Sequence, residues 1–146
     1  MRKHACALVL CLIGTAAFAA PPAANDPWIR ATPPGVQTAA AYARLTGAGT
    51  ADRLVGARTD AADRVEIHTH MMQDGVMAMK QIEALAIPAD GAALLAPGGD
   101  HLMLIGLHRP LAPGDTVTFT LVFEKSGEVI VQFPVRDART EPQHSH

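Results

Sequence analysis

The sequence predicts an all-β fold, a sandwich or barrel built as a single domain. Two observations carry that reading. From Trp28 onward the chain runs as short apolar-rich stretches separated by Gly- and Pro-containing turns, which is the punctuation of a β-sandwich or barrel. The last two stretches also alternate with period two. Val117, Phe119, Leu121 and Phe123 alternate with Thr116, Thr118, Thr120 and Glu124, with Val122 interrupting the polar side. Val129, Val131 and Phe133 then alternate with Glu128, Ile130 and Gln132, and Lys125-Ser126-Gly127 joins the pair as a hairpin.

In chain order, residues 1–19 stand apart. Arg2, Lys3 and His4 form a basic start, Ala5 to Ala16 an uncharged apolar run, and Ala17-Phe18-Ala19 a small-x-small cleavage pattern. This is the layout of a secretory signal peptide, and the apolar run is too short to span a bilayer. Residues 20–27, rich in Pro, Ala and Asn, read as a loose linker. The domain then covers 28–137. Its expected strands are Trp28–Ala31, Ala39–Leu45, Arg53–Arg58, Arg64–His70, Val76–Gln81, Ala92–Leu95, His101–Gly106, Thr116–Glu124 and Glu128–Val135. The turns between them carry Thr32-Pro33-Pro34-Gly35, Gly47-Ala48-Gly49, Gln73-Asp74-Gly75, Pro97-Gly98-Gly99-Asp100, Pro113-Gly114-Asp115 and Ser126-Gly127. Ala39–Ala43 is rich enough in alanine to read as a helix as well. No internal repeat is visible, and residues 138–146 form a polar, His-containing tail expected to be flexible.

Cleavage after Ala19 leaves 127 of the 146 residues, an ordinary single domain with room for a core. It also removes Cys6 and Cys11, neither of which reads as a lipid acceptor: Cys11 follows bulky Leu10 and has more apolar chain after it. The mature chain then has no thiol and no disulfide, although it enters an oxidising compartment. Every metal site that needs a thiolate is thereby excluded. Without Arg2 and Lys3 the mature chain carries 10 Lys+Arg against 14 Asp+Glu, interspersed and with no basic stripe. That argues against nucleic acid or an anionic membrane surface as a partner. With no second apolar span, the mature protein is expected to be soluble.

The chemistry is concentrated in one place. Six His and five Met remain after cleavage, and every one of those Met lies within Val65-Glu66-Ile67-His68-Thr69-His70-Met71-Met72-Gln73-Asp74-Gly75-Val76-Met77-Ala78-Met79 or within His101-Leu102-Met103. Side chains alternate across a strand, so His68 and His70 share one face while Val65 and Ile67 take the other. His101 and Met103 likewise share a face, opposite Leu102 and Leu104. The apolar residues can then face the core and the His/Met set outward, an unusual display for methionine. Thioether sulfur suits Cu(I) and imidazole suits copper generally, whereas hard cations want carboxylates. The competing reading is that these methionines fill irregular gaps in the core. Side-chain chemistry alone does not tell a copper chaperone from a copper sensor. His70 is either an auxiliary ligand or a surface histidine. His108 reads as solvated, and Trp28 and Tyr42 as core aromatics. Asp100 either orients the His101 imidazole or belongs to the turn. His144 and His146 are candidates for weak Cu(II) capture in the tail. Blue-copper electron transfer would need a thiolate, and no His-Glu-x-x-His, nucleophile elbow or phosphate loop is present, so no enzyme class is supported.

His68, ten intervening residues, Met79, twenty-one intervening residues, then His101-x-Met103 resembles the spacing of the periplasmic PCuAC-type copper chaperones. The resemblance extends through Val65-Glu66-Ile67-His68, Asp74-Gly75-Val76-Met77, Pro97-Gly98-Gly99-Asp100, Leu107 and Pro110-Leu111, and covers about Trp28 to Arg136. One departure is Thr69, where some members have Met. The resemblance implies a cupredoxin-like (immunoglobulin-like) β-sandwich that binds one Cu(I) through His68, Met79, His101 and Met103. It also implies delivery toward the CuA centre of cytochrome c oxidase, with a Sco-type thiol protein as a further copper acceptor. Storage or buffering without a dedicated acceptor is the alternative. Met71 and Met72 are candidates for passing copper in or out.

Overall fold

The computed structural model describes residues 19–137, and every regular element in them is a strand. In chain order these are β1 (Ala23–Arg30), β2 (Thr38–Thr46), β3 (Asp52–Thr59), β4 (Ala62–Gln73), β5 (Val76–Ile82), β6 (Leu85–Ile87), β7 (Ala92–Leu95), β8 (His101–Leu107), β9 (Thr116–Phe123) and β10 (Gly127–Arg136). The hydrogen-bonded order is β5-β4-β8-β2-β1-β10-β9-β3-β6, with β7 beside β2. A further β3–β4 pairing, Ala57 opposite Val65, closes the run from β4 round to β3 into a barrel-like sandwich. Strands β5 and β6 remain as the edges of the described sheet. β1 and β10 pair in parallel, so the two ends of the described chain are stitched side by side.

The alternation expected for β9 and β10 is what builds the core. Val117, Phe119, Leu121 and Phe123 are all buried, as are Phe133 and Val135, while Ile130 on the opposite face is exposed. Phe119 and Phe133 meet with ring centroids 4.4 Å apart in a tilted pair. Ile29, Leu45, Leu54, Ile87, Leu102 and Leu104 complete the interior. Each such side chain, fully buried, contributes about 1.5–3 kcal/mol.

One expectation is corrected, one alternative is settled and one strand is new. β1 begins at Ala23, inside the stretch expected to be a linker, because Ala23, Ala24 and Asn25 pair with Thr46, Leu45 and Arg44 of β2. Asn25 also donates to Thr46 Oγ1 at 2.8 Å. The Ala39–Ala43 stretch is strand, held between β1 and β8, where its small side chains fit the crowded interior. β6 was not expected at all. The proposed signal peptide, apart from Ala19, and the tail with His144 and His146 lie outside the described residues.

Two turns decide where the His/Met strands lie. Asp74 and Gly75 both take positive φ (52° and 78°), the two-residue turn that suits the twist of a hairpin, and they fold β5 directly back on β4. Gly106 (φ 73°) has no room for a side chain: a Cβ there would come within 2.2 Å of the Asp63 carboxylate. That close approach lets the end of β8 pack against the start of β4.

Candidate metal centre

Register brings the candidate ligands together. β4 pairs with β8 from Ala62–Leu107 to His68–His101, and there the pairing stops. Beyond His68, β4 runs on with β5 as its only partner among the described residues, forming a two-stranded arm that overhangs the end of β8. Directly opposed residues project from the same face of a sheet. His68 faces both His101 on β8 and Gln81 on β5; His70 faces Met79; Met103 faces Glu66 and Ala40. His68, Met79, His101 and Met103 therefore share one face of the β5-β4-β8 sheet, at the junction of arm and barrel. Ile67, Leu102 and Leu104 occupy the other face, in the core.

The imidazoles cluster round His101, whose ring centroid lies 5.7 Å from that of His68 and 5.3 Å from that of His70. The outward display expected for the His/Met set does not hold for His101, which is only 3% exposed. Tyr42 stands 6.5 Å from it, backed by Trp28 at 4.7 Å from Tyr42, so the aromatic pair expected in the core also walls the site. Burial, with the neighbouring His70 and His68 adding to it, pushes the His101 pKa below the usual imidazole value, although the Gly99 carbonyl and Asp100 oppose this. A neutral ring is the form that can ligate a metal.

Each ring has its proton position set by an acceptor. The Gly99 carbonyl oxygen lies 3.0 Å from Nδ1 of both His70 and His101. A carbonyl can only accept, so each Nδ1 carries the hydrogen and each neutral ring offers its Nε2 lone pair. His68 is held the other way round. Its Nε2 lies 2.8 Å from Glu66 Oε2, and Glu66 Oε1 in turn accepts from Arg64 Nε at 2.9 Å. The hydrogen bond from Arg64, then that from His68, holds Glu66 below the usual carboxylate range, so it is an ionised acceptor. The lone pair of His68 therefore sits on Nδ1, which is buried and has no hydrogen-bond partner among the described residues. An orphaned buried nitrogen of this kind costs free energy unless something binds it. With two thioethers on the same face, the donor set fits a soft cation. Among the described residues no group of three or more His, Cys, Asp or Glu is arranged to hold a metal.

The sequence singled out neither Glu66 nor the Gly99 carbonyl, because a carboxylate two residues from a histidine and a turn glycine are both commonplace. Asp100, considered as an orienting group for His101, yields that place to the Gly99 backbone. His70 is drawn into the cluster rather than left on the surface. His108 is exposed yet paired, with Asp63 Oδ1 at 2.8 Å and the Asp60 carbonyl at 2.9 Å. Met79, Met71 and Met72 are exposed. Among the described residues no helix is long and apolar enough to cross a membrane.

The model of the LpqE-like family, described as "Putative lipoprotein LpqE-like", matches residues 23–135. A Leifsonia xyli subsp. xyli protein, Lxx21020, which carries the same lipoprotein description, is 36% identical over 111 residues. That match covers 75% of this chain and 66% of the relative, so the chain spans slightly under two thirds of it. The copper-bound PCuAC domain from PmoF2 superposes with a TM-score of 0.69 at 28% identity, covering 82% of this chain and 95% of that one. The solution structure of Cu(I)-DR1885 from Deinococcus radiodurans gives 0.66 at 34% identity, covering 84% and 83%. Its apo form gives 0.62 at 33% identity, covering 94% of both chains.

Proposed function

The chain belongs to the LpqE-like family, and on that footing we propose that it is an exported Cu(I) metallochaperone with no reaction of its own. It binds one Cu(I) as cargo through His68, Met79, His101 and Met103 and passes it toward the CuA centre of cytochrome c oxidase, with a Sco-type thiol protein as a second acceptor. The observation that carries the reading is the shared face of those four side chains, with the buried Nδ1 of His68 lacking a hydrogen-bond partner among the described residues. Two of the similar structures are of copper-bound or Cu(I)-bound proteins, which supports copper as the cargo. Export to the periplasm rests on residues 1–19 as a cleavable leader.

The arrangement suits delivery. His101 is enclosed, whereas Met79 stands 52% exposed at the edge strand β5. A partner's thiolate can therefore approach the thioether side of the ion while the imidazoles still hold it, and exchange proceeds through shared ligands. Thiolates bind Cu(I) more tightly than thioethers and draw the ion across. Stopped-flow mixing of the Cu(I) protein with an apo CuA domain or Sco-type protein tests this. The expected transfer rate rises with acceptor concentration and exceeds spontaneous release. A rate independent of acceptor and equal to free dissociation would make the protein a copper buffer or store.

A further inference from the structure

Among the described residues, the arm formed by Thr69–Gln73 of β4 and Val76–Lys80 of β5 pairs with no other strand. Its two faces differ in composition. One carries Thr69, Met71, Gln73, Val76, Ala78 and Lys80, an ordinary mixture. The other carries His70 and Met72 on β4 with Met79 and Met77 directly opposite them, so each of its four positions is an imidazole or a thioether. This is the face on which His68 and His101 lie. Met72 and Met77 are 62% and 56% exposed. Folding therefore gains little from their apolar surface, and a face evolved for packing alone would accept Leu, Ile, Val or Phe, none of which occurs there.

We propose that Met72 and Met77, with the Nε2 lone pair of His70, form a second and weaker Cu(I) site through which the ion enters and leaves the first. Cross-strand partners have Cβ atoms about 4.5–5.5 Å apart, so the two sulfurs can close on one soft ion. Successive residues on one strand face are about 6.5–7 Å apart, which places Met79 one step from Met77 toward His101. Met79 is thus the ligand that both sites can share, and copper moves by exchanging one thioether at a time. The oxidation state of copper does not change, so no electron donor or acceptor is involved. Met71, although adjacent to Met72 in sequence, points to the opposite face and takes no part. The inference rests on the assignment of the first site, and it adds Met77 to that reading and removes Met71 from it.

The test is anaerobic titration of the full mature protein, labelled with [methyl-13C]methionine, with Cu(I) while the methyl resonances are followed by NMR. The first equivalent is expected to shift Met79 and Met103, and the second Met72 and Met77 with Met71 unmoved. The Met72→Leu/Met77→Leu variant should keep the first equivalent and lose at least tenfold in affinity for the second. If the first equivalent shifts neither Met79 nor Met103, the first site is wrong and this proposal falls with it. If the first behaves as expected but the second leaves Met72 and Met77 unmoved, or moves Met71 as much, the second site alone is overturned. It is equally overturned if the double variant binds both equivalents like the parent yet transfers copper more slowly, which would make the face a docking surface for a protein acceptor.

Discussion

At the scale of single residues, the site depends on which nitrogen of each imidazole carries the proton. The Gly99 carbonyl and the Glu66 carboxylate make that choice, leaving a lone pair at Nε2 of His101 and at Nδ1 of His68. His101 gives the arrangement a pH signature. Burial, reinforced by His70 and His68, sets its folded pKa below the ordinary value of 6.5, so the unfolded chain takes up the proton first. The stability this group contributes is complete above about 6.5 and is lost as pH falls through the lower folded value. The exposed His108 works in the opposite sense: its bond to Asp63, then that to the Asp60 carbonyl, raises its pKa, and its contribution is lost as pH rises. The depressed carboxylates Glu66 and Asp52 act only at lower pH, below their ordinary values of 4.5 and 3.8. Because the His108 pair is exposed and screened by solvent, the His101 effect is expected to dominate: the metal-free protein unfolds at lower urea concentration at pH 5.5 than at pH 7.5, with a smaller difference in His101→Gln. A pH difference as large in His101→Gln as in the parent would contradict the burial of a neutral His101.

At the scale of elements, the β9–β10 hairpin is clamped from a distance by one carboxylate. Asp52, at the start of β3, is buried and accepts from the backbone amides of Arg53, Lys125 and Ser126 at 2.8–3.0 Å, and from the Ser126 hydroxyl. Burial alone would raise its pKa, but the Ser126 hydroxyl and these amides together outweigh it and hold the group ionised. Replacing it as Asp52→Asn substitutes a neutral amide for an ionised acceptor and is expected to cost about 1–3 kcal/mol in urea denaturation. An unchanged midpoint would mean the clamp is not needed. Asp52 attracted no notice in the sequence, because its hairpin partners Lys125 and Ser126 lie over seventy residues away. The same limit governs what was legible elsewhere. Alternation within β9 and β10 revealed their buried faces, and Gln73-Asp74-Gly75 marked the turn between β4 and β5. The three residues Leu85–Ile87 are too few to show any period. Parity could place His68 with His70, or His101 with Met103, but it could not show that His68 opposes His101, which only the β4–β8 register decides.

At the scale of the whole molecule, the described chain contains no cysteine, and its stability comes from closing the sheet on a packed core. The barrel provides a rigid floor for His101 and Met103 on β8. The β4–β5 arm extends past that floor and carries Met79 to its edge. Rigid imidazoles below and a reachable thioether above are what a carrier needs: a firm hold on the ion with one side open to exchange. The central claim is that this junction holds a single Cu(I) with two imidazole nitrogens and two thioether sulfurs. X-ray absorption on the mature protein loaded anaerobically with one equivalent of Cu(I) counts those neighbours directly. The expected first shell contains two sulfur and two nitrogen scatterers per copper. A shell with nitrogen or oxygen alone would contradict the assignment of Met79 and Met103, and with it the account of how this fold carries copper.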